Sequence, residues 1–249
     1  MSLVELRDAS ATLDGRTVLA AVNFVVRPGE LVALCGPNGA GKSSLIRAAL
    51  GLLPLSNGEV RLGEAPLQRL SHRARAERVA YLPQERRIAW NLPAEEVAAL
   101  GAPFLKPGEA LAHARAALAE VDASHLASRG VAEMSGGERA RVLLARALAA
   151  EAPALLADEP VAGLDPDAQL LVLDRLKTRS RAGQGVVVSL HDLTLAARYA
   201  DRVVVIDGGR IVADAPPSEA LSPQILGRVF RLNGRWLDAP EGPLLAASR

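Results

Sequence analysis

With 249 residues, 49% of them hydrophobic, the chain is long enough for one large domain with a sizeable core, or for a core carrying an inserted subdomain. Its net charge of +1, from 29 Lys and Arg against 28 Asp and Glu, provides no general field for polyanions, and the densest basic stretch, Arg69 to Arg78, is interrupted by Glu77 and lacks interleaved aromatics, so nucleic acid is not an expected partner. No apolar run approaches the roughly 20 residues of a membrane span, and Cys35, the single cysteine, has no partner for an intramolecular disulfide.

The opening Met1-Ser2-Leu3-Val4-Glu5 has neither a basic n-region nor an apolar h-region, so a cytoplasmic location is expected rather than a secretory signal. Leu3 to Leu6 and Val22 to Val26 read as short strands of a small β-layer, with Arg27-Pro28-Gly29-Glu30 turning into the apolar strand Leu31 to Cys35. That strand runs into Gly36-Pro37-Asn38-Gly39-Ala40-Gly41-Lys42-Ser43, and a helix opens at Ser44. The pattern is a phosphate cradle. Its glycines let the backbone curl with N–H groups inward, the helix N-terminus adds partial positive charge, Lys42 can reach β- and γ-phosphates, and the Ser43 hydroxyl can ligate Mg²⁺. Further on, Gly58 to Gly63 bounds a strand that can rejoin the β-layer, and Val79 to Leu82 is a buried strand followed by Gln84, which can contact Mg²⁺ or water.

From Glu85 to Ala149 alanine and leucine dominate, and Ala94 to Leu100, Glu109 to Val121 and Glu138 to Ala149 read as helices of an inserted subdomain. The last of these is fronted by Ser135-Gly136-Gly137-Glu138, a second helix N-terminus suited to an anion and, by spacing, also a capping box. After the break at Glu151-Ala152-Pro153, strands at Ala154 to Ala157, Val186 to Leu190 and Val203 to Ile206 alternate with helices, which predicts a mostly parallel sheet. The first ends in Asp158 and Glu159, whose side chains point in different directions, so that Asp158 can serve Mg²⁺ while Glu159 faces a water attacking the γ-phosphate. Asp165, before Pro166, reads either as a site residue or as a helix N-cap, and His191 sits where it can reach a γ-phosphate from the same sheet edge. Asp207-Gly208-Gly209 turns the final strand into a hairpin, and the tail from Pro216 is read as one or two short helices with proline-rich ends. Two phosphate-binding helix ends beside one carboxylate pair suggest a symmetric dimer, each nucleotide held by the phosphate loop of one copy and the serine-glycine element of the other.

The order of these elements resembles the ATP-binding subunit of ATP-binding-cassette (ABC) transporters. That family's Walker A, Q-loop, signature, Walker B, D-loop and H-loop correspond to Gly36 to Ser43, Gln84, Ser135 to Glu138, Leu155 to Glu159, Ala162 to Asp165 and His191. The resemblance implies a P-loop NTPase core (1–84 and 150–249) with an N-terminal antiparallel β-layer and a helical signature subdomain (85–149). It also implies ATP and Mg²⁺ as cofactors, a nucleotide-sandwich homodimer, Glu159 as catalytic base assisted by His191 and Gln84, and a metal shell of Ser43, Gln84 and Asp158. The cradle through Ser44, the element Ser135 to Glu138 and Asp165 would contact nucleotide.

Tyr81-Leu82-Pro83-Gln84 and Leu92 to Gly101 resemble the matching segment of bacterial importers of iron chelates, haem and cobalamin, although Ala102 stands where relatives commonly carry a basic residue. Partners implied are separate transmembrane permease subunits and, indirectly, an extracytoplasmic substrate-binding protein, with the chain peripheral on the cytoplasmic face of the inner membrane. Leu13 occupies the position of an adenine-stacking aromatic in many relatives, which points to weak discrimination between ATP and GTP. The competing readings are a soluble ABC-type ATPase and a non-hydrolytic nucleotide-dependent switch. Glu159 weighs against the switch, which needs no base.

Overall fold

The computed structural model describes residues 2–85, 91–240 and 242–248. Of the stretches read above, Met1, 86–90 at the start of the helical insertion, and Glu241 and Arg249 in the tail lie outside the described residues.

An antiparallel hairpin of β1 (Val4–Leu13) and β2 (Arg16–Val26) opens the chain, and β3 (Leu31–Cys35) leads into α1 (Lys42–Ala49). The chain returns through β4 (Asn57–Leu62) and β5 (Ala65–Pro66), completing an antiparallel layer of order β2-β1-β4-β5. After α2 (His72–Ala76) and β6 (Val79–Leu82) come the helices α3 (Ala94–Ala99), α4 (Pro107–Glu120) and α5 (Gly136–Ala149). Strands and helices then alternate as β7 (Ala154–Ala157), α6 (Pro166–Arg181), β8 (Gly185–Ser189), α7 (Leu193–Tyr199), β9 (Arg202–Asp207) and β10 (Arg210–Ala215). The second sheet has the order β10-β9-β3-β8-β7-β6, parallel throughout except for β10.

The central strands β3, β7 and β8 are buried along their whole length, as continuous apolar runs must be when both faces of a parallel sheet are covered. Successive side chains leave a strand on opposite faces, and two cores result. Val32, Leu34, Leu156, Val187 and Val204 pack with α1 and the β-layer, around Phe24, Leu45 and Ile46. Leu31, Ala33, Leu155, Val186 and Val188 pack with the helices, including Val97, Leu118 and Leu144 of the insertion.

The outcome departs from the expectations above in several places. The first two strands are much longer than the β-rich cores Leu3 to Leu6 and Val22 to Val26, because register shifts carry β1 past Asp8 with pairing resumed at Ala9. The alanines of the insertion serve as its core: Ala94, Ala98, Ala114 and Ala117 are buried between its helices, and among its described residues Leu100, Phe104 and Leu105 are the exposed large apolar ones. The tail adds to α8 (Pro217–Ala220) and α9 (Pro223–Ile225) a π-helical turn (Leu226–Phe230) and an unforeseen hairpin of β11 (Asn233–Leu237) and β12 (Leu244–Ser248). That hairpin is tied down by Trp236 Nε1, which donates to the Leu221 carbonyl at 2.9 Å.

Candidate active site

Neighbouring strands of the parallel sheet carry the candidate residues at their C-terminal ends, where open α/β sheets bind ligands. The phosphate loop follows β3, His191 lies just beyond β8, Asp158 and Glu159 follow β7, and Gln84 lies just beyond β6. The Asp158 N–H donates to the Leu82 carbonyl at 2.9 Å, extending the β6–β7 pairing, and the Leu190 N–H donates to the Leu34 carbonyl at 3.1 Å, tying the end of β8 to β3. Strand order alone therefore sets Glu159 between Gln84 and His191. Together with Val18, Asn38, Gly39, Gly41, Lys42, Ser43 and Ser44 these residues line a cleft of about 470 Å³.

Gly41 shows why the loop needs glycine. Its φ is 114°, and a Cβ there would lie 2.7 Å from the Val18 carbonyl oxygen. It also stands at the N-cap of α1 with no side-chain capping bond, and the first turn holds no acidic residue. The first N–H groups of α1 and the positive end of its dipole are thus left to an anion. Lys42 is almost wholly buried, its Nζ donating to the carbonyls of Gly36 at 2.8 Å and Pro37 at 3.1 Å. Burial holds the Lys42 ammonium below its ordinary pKa, against the opposing charges of Glu159 and Asp158. Cys35, wholly buried behind the loop, is pushed up to about 12 by desolvation and stays an inert thiol.

Glu159 is gripped from both sides. Gln84 Nε2 donates to its Oε2 at 2.8 Å, and His191 Nε2 lies 2.5 Å from its Oε1. Its backbone has φ 49°, a left-handed conformation unusual for glutamate. Asp158 is completely buried; Oδ1 accepts from the Ser189 hydroxyl at 2.8 Å, and Oδ2 has no hydrogen-bond partner among the described residues. That orphaned oxygen fits a divalent cation. No group of three His, Cys, Asp or Glu suited to a metal exists among the described residues, and Mg²⁺ asks for none: it is ordinarily held by one or two carboxylates together with substrate phosphates and water.

Ser135, Gly136, Gly137, Glu138 and Asp165 lie outside the lining of this cleft. Ser135 caps α5 by accepting from the Glu138 N–H at 3.2 Å, while its own N–H donates to Glu138 Oε2 at 2.8 Å. That backbone bond, reinforced by Ser135 and Arg129, holds the Glu138 carboxyl below the usual carboxylate range. Asp165 caps α6, accepting from the Ala168 N–H at 2.9 Å. It also adjoins the glycine turn: a Cβ on Gly137 would lie 3.9 Å from Asp165 Oδ2.

Two residues that the sequence reading passed over matter here. Ser189 is a lone polar residue in an apolar strand run, and a buried hydroxyl in such a run must find a partner, which was the available signal. Asn91 holds the serine-glycine turn from upstream, accepting from the Ala132 N–H at 2.9 Å and donating to Glu133 Oε1 at 3.0 Å; no motif marks it.

The family described as ABC transporter matches residues 19–162. Among curated relatives, the hemin import ATP-binding protein HmuV of Nocardia farcinica is 46% identical over 96% of this chain and 83% of its own length. The protein of the same name from Pseudomonas aeruginosa is 42% identical over 98% of this chain and 100% of its own. Among solved structures, an ATP binding subunit of an ABC transporter superposes with a TM-score of 0.79 at 32% identity, covering 88% of this chain and 91% of that one. A dimeric ATP-binding cassette in a post-hydrolysis state, bound to ADP and Pi, gives a TM-score of 0.78 at 26% identity, covering 86% and 98%.

Proposed function

Because this chain belongs to the ABC transporter family, we propose that it is the ATP-hydrolysing subunit of an importer of haem or a related iron chelate. One observation carries the chemical part of this reading: Lys42, Gln84, Glu159 and His191 converge on a single cleft from separate strands. The names of the relatives support the haem part.

In this reading the cradle from Gly36 to Ser44 binds the phosphates, with Lys42 Nζ exchanging loop carbonyls for phosphate oxygens. Ser43 and Asp158, with Gln84 near them, would hold Mg²⁺, which supplies charge neutralisation along the triphosphate. Glu159 takes a proton from the attacking water. His191 and Gln84 hold its carboxylate in place, and His191 would also contact the γ-phosphate. Ser135, Gly136, Gly137 and Glu138, with Asp165 beside them, would complete the site from a second copy, which is why they lie outside the cleft of their own chain. Dimeric relatives support that arrangement. No helix among the described residues is long and apolar enough to cross a membrane, so attachment would run through separate permease subunits, fed by an extracytoplasmic binding protein.

Recovered from detergent-solubilised membranes, the chain is expected to bring a many-spanning permease with it, and the complex in liposomes should accumulate haem only when ATP is supplied. A chain recovered with no integral membrane protein would sink the transport reading. Base selectivity gives a second test. Leu13, at the end of β1, is 47% exposed and offers the base no aromatic platform. GTP should therefore be hydrolysed within about tenfold of ATP, a difference of about 1.4 kcal/mol or less. A larger gap in matched steady-state assays would show that another group reads the base.

A further inference from the structure

The carboxylate pair after β7 is joined through a third residue. Ser189, fully buried at the end of β8, accepts from the Glu159 N–H at 2.7 Å and donates to Asp158 Oδ1 at 2.8 Å. The direction of both bonds is forced: an amide can only donate and an ionised carboxylate can only accept, so the single hydroxyl proton points to Asp158. These are the bonds that fix the two features on which the chemistry depends. One is the rotamer of a wholly buried aspartate whose Oδ2 has no partner among the described residues. The other is the left-handed backbone of Glu159, which is strained in a non-glycine residue and needs an opposing interaction to persist.

We infer that Ser189 is a positioning residue that locks Asp158 and Glu159 into one unit, so that the carboxylate offered to the metal and the carboxylate offered to water are aligned together. The inference rests on the proposed ATPase reading. Gln84 and His191 hold only the far end of the Glu159 side chain, whereas the Asp158 carboxylate is held by Ser189. Ser189 alone among them bears on both acids. Without its hydroxyl the Asp158 carboxylate loses its charge-assisted donor and becomes free to turn, while the Glu159 amide loses its acceptor.

The test is Ser189→Ala in the full chain, a change that removes one oxygen from a strand otherwise paired on both sides. Losing a hydrogen bond to a charged group predicts a fall in kcat of about 10- to 100-fold, with KM for ATP moved less than about threefold. Mn²⁺ serves as the metal probe. Titrated by electron paramagnetic resonance into the ATP complex of Glu159→Gln, with and without Ser189→Ala, it should bind about 5- to 10-fold more weakly to the double variant. A purely structural role would lower the melting temperature but leave Mn²⁺ affinity in the folded protein alone. Values of kcat and Mn²⁺ affinity both within about twofold of the parent proteins would overturn the inference, yet leave the ATPase reading intact so long as Glu159→Gln still abolishes turnover. If the unmodified chain neither binds Mn²⁺ with ATP nor hydrolyses it, the reading fails and the inference falls with it.

Discussion

Replacing Glu159 with Gln is expected to cut ATP turnover by about 10²- to 10⁴-fold, the range supplied by a positioned general base, while nucleotide binding survives. The amide has the shape of the carboxylate and can still meet Gln84 and His191, whose contacts to Glu159 are 2.8 and 2.5 Å. What it lacks is affinity for a proton. Binding should persist because the proposed phosphate contacts lie elsewhere, at Lys42, the loop amides and the uncapped end of α1. With the reaction blocked, ATP remains between two copies and the closed dimer should accumulate. Phosphate release together with light scattering on a sizing column checks both halves. Undiminished hydrolysis would remove Glu159 from the mechanism, and a monomeric ATP complex would remove the shared site.

Gly101→Ala is expected to destabilise the protein by about 2–3 kcal/mol, the cost of forcing one carbon into a filled contact. Gly101 follows α3 and presses its Cα against the main chain of α5, where a Cβ would collide with the Arg146 carbonyl oxygen. A long flexible side chain could swing aside; a helical carbonyl cannot. The variant must push α3 away from α5, whose first turn carries Ser135, Gly136 and Gly137. The expected signature is therefore a lower denaturation midpoint together with ATPase activity that falls more than nucleotide binding does. A change in unfolding free energy below about 0.5 kcal/mol, the range of ordinary surface substitutions, would show that the two helices are not packed this closely.

Much of the sheet was legible because its strands are apolar without interruption. Leu31 to Cys35, Ala154 to Ala157 and Val186 to Val188 leave little alternative to a strand buried on both faces. The β-layer was harder: β1 alternates buried and exposed residues, carries aspartate at position 8 and shifts register beyond it, so only its most apolar part reads as strand. The tail hairpin gave no warning. Asn233 and Gly234 disfavour strands, Ala246 and Ala247 favour helix, and pairing is decided by tertiary contacts such as that of Trp236. Within the site, Gln84, Glu159 and His191 were identifiable singly from motif and position, but their meeting depends on the order β8-β7-β6, which periodicity does not encode. The pairing of Ser189 with both acids was out of reach for the same reason, since Asp158 and Glu159 lie just beyond the neighbouring strand β7.

The left-handed turn at Glu159 also bears on how this protein can be improved or can decay. Glycine would sit at φ 49° without penalty, so a screen rewarding only heat resistance should enrich catalytically dead clones altered at this position. Under the proposed mechanism endurance and turnover are set against each other at this one residue, and a thermostabilised version that keeps its activity must find its gains elsewhere in the chain.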